Sequence, residues 1–189
     1  MRYKFFLTIL LLTISAAVNA QTLKLWEWDT YKLKFRAPDD LILQKNDATI
    51  YEAGNGNMYL DIYPRKGDHL TYEGMKNSII KWAGDLGLFY KTVNASGDTQ
   101  PIYIKNLNGY WGCAIDGTKN NLPATAMLIV NPNDPELSFY IWMNYKNDYY
   151  HDAVAVLKSF TPMDGKSPAT KKSSTVVKHK KKTTTAPVF

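Results

Sequence analysis

The sequence predicts an α/β fold of the α+β kind: an α/β/α sandwich with a central, mainly antiparallel sheet and two flanking helices. Three observations carry this. Leu137, Phe139, Ile141, Met143 and Tyr145 alternate strictly with Ser138, Tyr140, Trp142 and Asn144, which is the period of a strand. Two other segments keep the three- and four-residue spacing of an amphipathic helix. The remaining apolar runs are short and separated by turns rich in Gly, Asn and Pro, as antiparallel strands with tight connections require. The second face of 137–145 carries Tyr140 and Trp142 where a charged row is usual. A layer is therefore expected on each side of the sheet.

In chain order, residues 23–28 and 31–37 read as two short strands around Asp29-Thr30, and Pro38, Asp39 and Asp40 end the second. Residues 41–46 and 49–53 are brief extended pieces. Gly54-Asn55-Gly56-Asn57 is a turn, because Gly and Asn tolerate positive φ. Residues 58–63 return as a strand with Met58, Leu60 and Ile62 on one face. The first helix aligns Tyr72, Met75, Ile79, Trp82 or Ala83, and Leu86 on one stripe, with Thr71 to cap it and Gly87 to stop it. After it come residues 89–93, the turn-rich 94–98 and then 102–107. Asn108-Gly109 signals a two-residue hairpin leading to 110–116, and 117–123 reads as a loop. Residues 124–130 are apolar throughout and form a doubly buried central strand; 131–135 form a turn. The closing helix spans 149–159, with Tyr150, Ala153, Val154, Leu157 and Phe160 at helical spacing. Asn147 or Asp148 is its cap and Pro162 its stop.

The N-terminus reads as a secretory signal peptide, residues 1–20. Arg2 and Lys4 precede an apolar run from 5 to 18, and Val18-Asn19-Ala20 supplies small residues for cleavage. The run is too short to span roughly 30 Å of hydrocarbon as a helix, so the mature chain is expected to be exported with no transmembrane segment, to the periplasm or beyond. Residues 21–163 form one expected globular domain, with 14 Lys+Arg against 16 Asp+Glu. From Asp164 on, Lys, Thr, Ser, Pro and Ala dominate, and seven lysines face one acid. Such a segment buries too little apolar surface to offset its ordering entropy, so 164–189 is expected to be a disordered basic tail. Lys178, Lys180, Lys181 and Lys182 are its densest charge and suit a polyanion, such as an anionic envelope polymer. Export makes a nucleic-acid partner unexpected.

Chemistry-bearing residues are sparse. Cys113, the one cysteine, falls in an apolar strand and reads as a buried residue rather than a reactive thiol. A Cys113 pair with His69 or His151 has no supporting local motif. Asp61 and Asp116 lie in or at the end of strands and, with His69 or His151, offer the groups a small hydrolase or metal-dependent enzyme would use. No metal-ligand spacing and no phosphate-cradling glycine loop occurs, so no cofactor and no metal site is expected. Aromatic rings are abundant: five Trp and thirteen Tyr. Trp111, Tyr140 and Trp142 are the candidate ligand-binding residues, since rings with a polar tip grip partners and sugars. The competing reading is that they fill a sheet covered by two helices.

Tyr31-x-Leu33-x-Phe35-x-x-Pro38-Asp39, the mid-chain amphipathic helix, the late meander and Leu157-Lys158-Ser159-Phe160 together resemble the PsbP-like family. That family includes the lumenal extrinsic protein of the oxygen-evolving photosystem and many small exported bacterial proteins. The resemblance spans residues 23–163. It implies an α/β/α sandwich with a central antiparallel sheet, and a binding or assembly role more than catalysis, with an envelope protein among the partners it allows. The metal-associated histidines of the photosystem member have no matching motif here, and no functional residue is carried over.

Overall fold

The structure, a computed structural model, describes residues 22–163. The expected signal peptide and the Lys-rich tail lie outside the described residues. The alternating stretch becomes strand β9 (Asp134–Tyr145), and it lies fourth in a seven-stranded antiparallel sheet. To one side stand β5 (Met58–Lys66), β4 (Tyr51–Gly54) and β3 (Ile42–Asn46). To the other stand β8 (Leu122–Asn131), β7 (Tyr110–Lys119) and β6 (Ile102–Leu107). The fold is therefore the expected α+β sandwich with a mainly antiparallel sheet.

Each face of this sheet has its own core. Phe139, Ile141 and Met143 of β9 join Leu60, Ile62, Met127 and Ile129 on one face. That face is covered by helix α2 (Tyr150–Lys158) and by a hairpin of β1 (Leu23–Trp28) and β2 (Leu33–Pro38). Tyr140 and Trp142 join Cys113, Ile115, Ala126 and Leu128 on the other face, under helix α1 (Met75–Asp85) through Met75, Ile79, Trp82 and Ala83. One helix on each side is what the doubly apolar β9 demanded.

Several local expectations change. β1 and β2 stay out of the main sheet and form a three-stranded sheet with β10 (Thr161–Pro162). Pro162 thus ends α2 and also enters a short edge strand, where its missing N–H is tolerated. The expected loop 117–123 is mostly strand: β7 runs on to Lys119 and β8 begins at Leu122. Asn120 and Asn121, at φ 52° and 64°, make a two-residue turn whose handedness matches the strand twist. The turn at 131–135 shrinks in the same way, since β9 already starts at Asp134. Residues 89–93 contribute only the isolated bridges Phe89–Thr118 and Val93–Thr99. Neither helix has a side-chain cap; Thr71 Oγ1 accepts the Gly74 N–H at 3.1 Å in the turn ahead of α1. Asn108 and Gly109 form the expected hairpin turn, with φ 51° and 108°.

Among the described residues no helix is long and apolar enough to cross a membrane. The small sheet is held down by rings: Phe35 lies 5.0 Å from Phe160 and edge-on to Tyr51 at 5.5 Å, all three buried. Phe35→Ala is therefore expected to cost about 3–5 kcal/mol in urea unfolding, the usual penalty for emptying a packed ring site. A loss under about 1 kcal/mol would mean the hairpin is not packed on the core.

Candidate functional site

Burial decides the fate of the sequence candidates. Tyr140 and Trp142 are 8% and 5% exposed, and Trp82 of α1 meets Tyr140 edge-on at 5.2 Å. Tyr140 packs the sheet against the helix instead of presenting an open aromatic face, and Trp142, buried in the same core, has the Lys119 ammonium over its ring. Trp111 alone of the three reaches solvent, half-buried beside Tyr72 and Tyr103. Lys178, Lys180, Lys181 and Lys182 lie outside the described residues. Cys113 is fully buried, and burial pushes its thiol up to about 12, which leaves it un-ionised and inert at neutral pH.

The acids and histidines named from sequence do not meet. Asp61 projects from β5 on the α1 side, in register with Trp142. Asp116 projects from β7 on the opposite side, where Thr125 Oγ1 donates to its Oδ1 at 2.8 Å. The sheet separates the two carboxylates, so they cannot flank one bond. His69 stands in an exposed loop with Nδ1 4.0 Å from Glu136 Oε1, and His151 is exposed on α2 beside Tyr150. Among the described residues no three His, Cys, Asp or Glu side chains group as a metal requires.

Two places concentrate chemistry. The first is a cleft of about 460 Å³ between the segment 89–100, the open end of the β7–β8 hairpin and the start of α2. Its rim is apolar and exposed: Phe89, at 72% exposure, with Val93 and Tyr150. Its polar groups include Lys91, Asn94, Ser96, Gln100, Asp116 and Thr118, with the ring of Tyr145 alongside. Gln100 fixes the wall. Its Nε2 donates to the carbonyls of Lys91 and Asp116 at 2.8 and 2.9 Å, and its Oε1 accepts the Asp116 N–H at 2.5 Å. Gly117 lets the wall approach, since a Cβ there would stand 2.3 Å from the Phe89 carbonyl oxygen. Sequence reading missed this site. Phe89 reads as one more residue of a short apolar run, and nothing local marks Gln100 as a staple. A larger hollow of about 560 Å³ at the other end of the sheet is lined by Tyr31, Lys32, Lys66, Asp134 and Glu136 among others, a mixed-charge surface.

The second place is Asp61 itself. It is 9% exposed, its Oδ2 accepts the Tyr63 hydroxyl at 3.2 Å, and its Oδ1 has no hydrogen-bond partner among the described residues. Burial raises its pKa to about 6, the Tyr63 hydrogen bond works against that rise, Glu52 adds to it and Lys119 opposes it.

No family model matches the sequence, and no curated protein matches it significantly. Among solved structures the chain is similar to the Ran-binding protein Mog1p of Saccharomyces cerevisiae, with a TM-score of 0.49 and 9% identity over 76% of this chain and 97% of that one. It is also similar to a protein of Bacteroides thetaiotaomicron VPI-5482, with a TM-score of 0.42 and 11% identity over 72% of this chain and 47% of that one. At these values the likenesses carry no functional argument. The fold rests on the chain's own sheet and helices.

The raised pKa of Asp61 has a consequence for stability. A carboxyl whose folded-state pKa lies above its unfolded value favours folding only while protonated, so its contribution is lost as pH rises from about 4 through about 6. Asp61→Asn is expected to be more stable than the parent above pH 7, by roughly 1–3 kcal/mol, with the gap closing near pH 4. Urea unfolding across that range measures it; a gap independent of pH would show that Asp61 is not desolvated.

Proposed function

We propose that the chain is an exported, non-catalytic binding or assembly module of the PsbP-like kind, acting in the periplasm or outside the cell. Its ligand seats in the 460 Å³ cleft, and its lysine-rich tail tethers it to an anionic envelope polymer or protein. The observation that supports this is the cleft's make-up. Exposed Phe89, Val93 and Tyr150 line the same cleft as the Asp116 carboxylate and the Lys91 side chain, a combination of apolar wall and polar groups that suits a small ligand or an inserted side chain. The ligand class that fits is an apolar or aromatic group bearing a hydrogen-bond donor for Asp116. Lys178, Lys180, Lys181 and Lys182 supply the charge for the tether.

One observation favours a second reading, a small hydrolase or metal-dependent enzyme: Asp61 keeps its proton to about pH 6, as a general acid must. Asp116 stands across the sheet from it, and the carboxylate that does neighbour it, Glu52, accepts the Tyr59 hydroxyl.

Retention on an isolated envelope fraction separates the two halves of the proposal. Replacing the four tail lysines by Gln is expected to remove the salt-sensitive part of retention. Phe89→Ser with Tyr150→Ser is expected to remove the salt-resistant part, while leaving Tm within a few degrees, since both side chains are exposed. Retention unchanged in both variants would overturn the proposal.

A further inference from the structure

Helix α1 packs on β7 and β8. Toward β5 and β4 the same face of the sheet carries Tyr59, Asp61, Tyr63 and Glu52, with Trp142 and Asn144 of β9 beside them. Glu52, Asp61 and Trp142 stand in one cross-strand row, and Tyr59 is in register with Asn144 in the next. Gly54 makes room for the Tyr59 ring: a Cβ there would lie 2.7 Å from Tyr59 Cδ2. The ring leans toward β4, and its hydroxyl donates to Glu52 Oε1.

The polar groups of this row are unevenly served. Asp61 Oδ1 and Asn144 Oδ1 are both buried acceptors without a hydrogen-bond partner among the described residues. Native proteins seldom leave such atoms unpaired. Charge is also unbalanced: the titratable groups acting on Asp61 are Glu52, Tyr63 and Lys119, so two carboxylates face one ammonium. That ammonium shows how a cation sits here, with Lys119 Nζ 5.2 Å from the centroid of the Trp142 ring, within cation–π range. It nevertheless gives Asp61 Oδ1 no hydrogen bond.

We propose that this row is a binding site for the ammonium end of an alkylamine, which donates to Asp61 Oδ1 and Asn144 Oδ1 and shares the Trp142 face with Lys119. A primary ammonium has three donors and one positive charge, which matches two orphaned acceptors and one uncompensated carboxylate. Tyr59 and Tyr63 flank the alkyl chain. The site lies on the α1 face, whereas Asp116 of the cleft lies on the opposite face, so this proposal does not depend on the cleft.

The test is a titration of the full-length chain with n-butylammonium chloride against matched sodium chloride, followed by the indole N–H resonance of Trp142. The expected result is a saturable shift with the amine only, weakening about tenfold or more in Asp61→Asn, as loss of one charged contact implies. Binding should also fall as pH drops through about 6, where Asp61 takes up its proton. Lys119→Gln, which removes the resident cation, is expected to tighten binding severalfold, an effect no purely structural role produces. In a chain whose Lys178, Lys180, Lys181 and Lys182 are Gln, tighter binding would mean that the chain's own tail competes for the site, and unchanged affinity would mean that the site takes an external amine; both support the site. Shifts equal in amine and sodium chloride, or equal affinity in folded Asp61→Asn, overturn it.

Discussion

The structure depends on one constraint: the central strands are apolar on both faces. Residues 124–130 of β8 are all buried, and β9 buries Phe139 and Ile141 on one side and Tyr140 and Trp142 on the other. At roughly 25 cal/mol for each Å² of apolar surface removed from water, neither face can be left wet. Two covers follow, and they differ. α1 is a single helix of eleven residues, whereas the opposite cover combines α2 with the three-stranded β1–β2–β10 sheet. The broader cover lies over the longer run of apolar positions, from Tyr51 in β4 to Tyr110 in β7.

The narrower cover leaves a consequence. α1 lies over β7 and β8 and reaches β5 through Trp82 against Tyr63, and the rest of the sheet beyond β9 carries polar and aromatic side chains on that face. Asp61 is held there at a cost, buried with one oxygen that has no hydrogen-bond partner among the described residues, while the hydrophobic face immediately behind it, Leu60 and Ile62, is fully closed. A carboxylate retained in such a place on an otherwise well-packed sheet marks a point where packing alone does not set the residue. The cleft at the far end of β7 has a different origin. It exists because segment 89–100 crosses the strand ends on backbone bridges and the Gln100 staple, without a core of its own.

Much of the fold was legible in the sequence because periodicity reports burial directly. β9, β8, the two helices and the Asn108-Gly109 turn all announce themselves by spacing or by a turn dipeptide. Asn120-Asn121 did not, because Asn adopts positive φ as Gly does but looks like ordinary loop composition. The separate β1–β2–β10 sheet was illegible because pairing partners far apart in the chain leave no local trace; Thr161 and Pro162 pair with Lys34 and Leu33. The site was harder still. Tyr140 and Trp142 stood out as aromatic, yet composition cannot tell a ring under a helix from a ring in solvent. Asp61 was visible only as an acid in a strand, and its environment is set by three strands meeting. Phe89 became notable only once its exposure was known.

The most direct test of this account is hydroxyl-radical footprinting of the aromatic side chains, read by mass spectrometry. If the sheet is covered on both faces as described, Trp28, Tyr140 and Trp142 are protected, while Phe89, Tyr103 and Tyr150 are labelled. Labelling of Tyr140 and Trp142 as heavy as that of Tyr103 would contradict it, because the face under α1 would then be open and the division between core and recognition surface would fall.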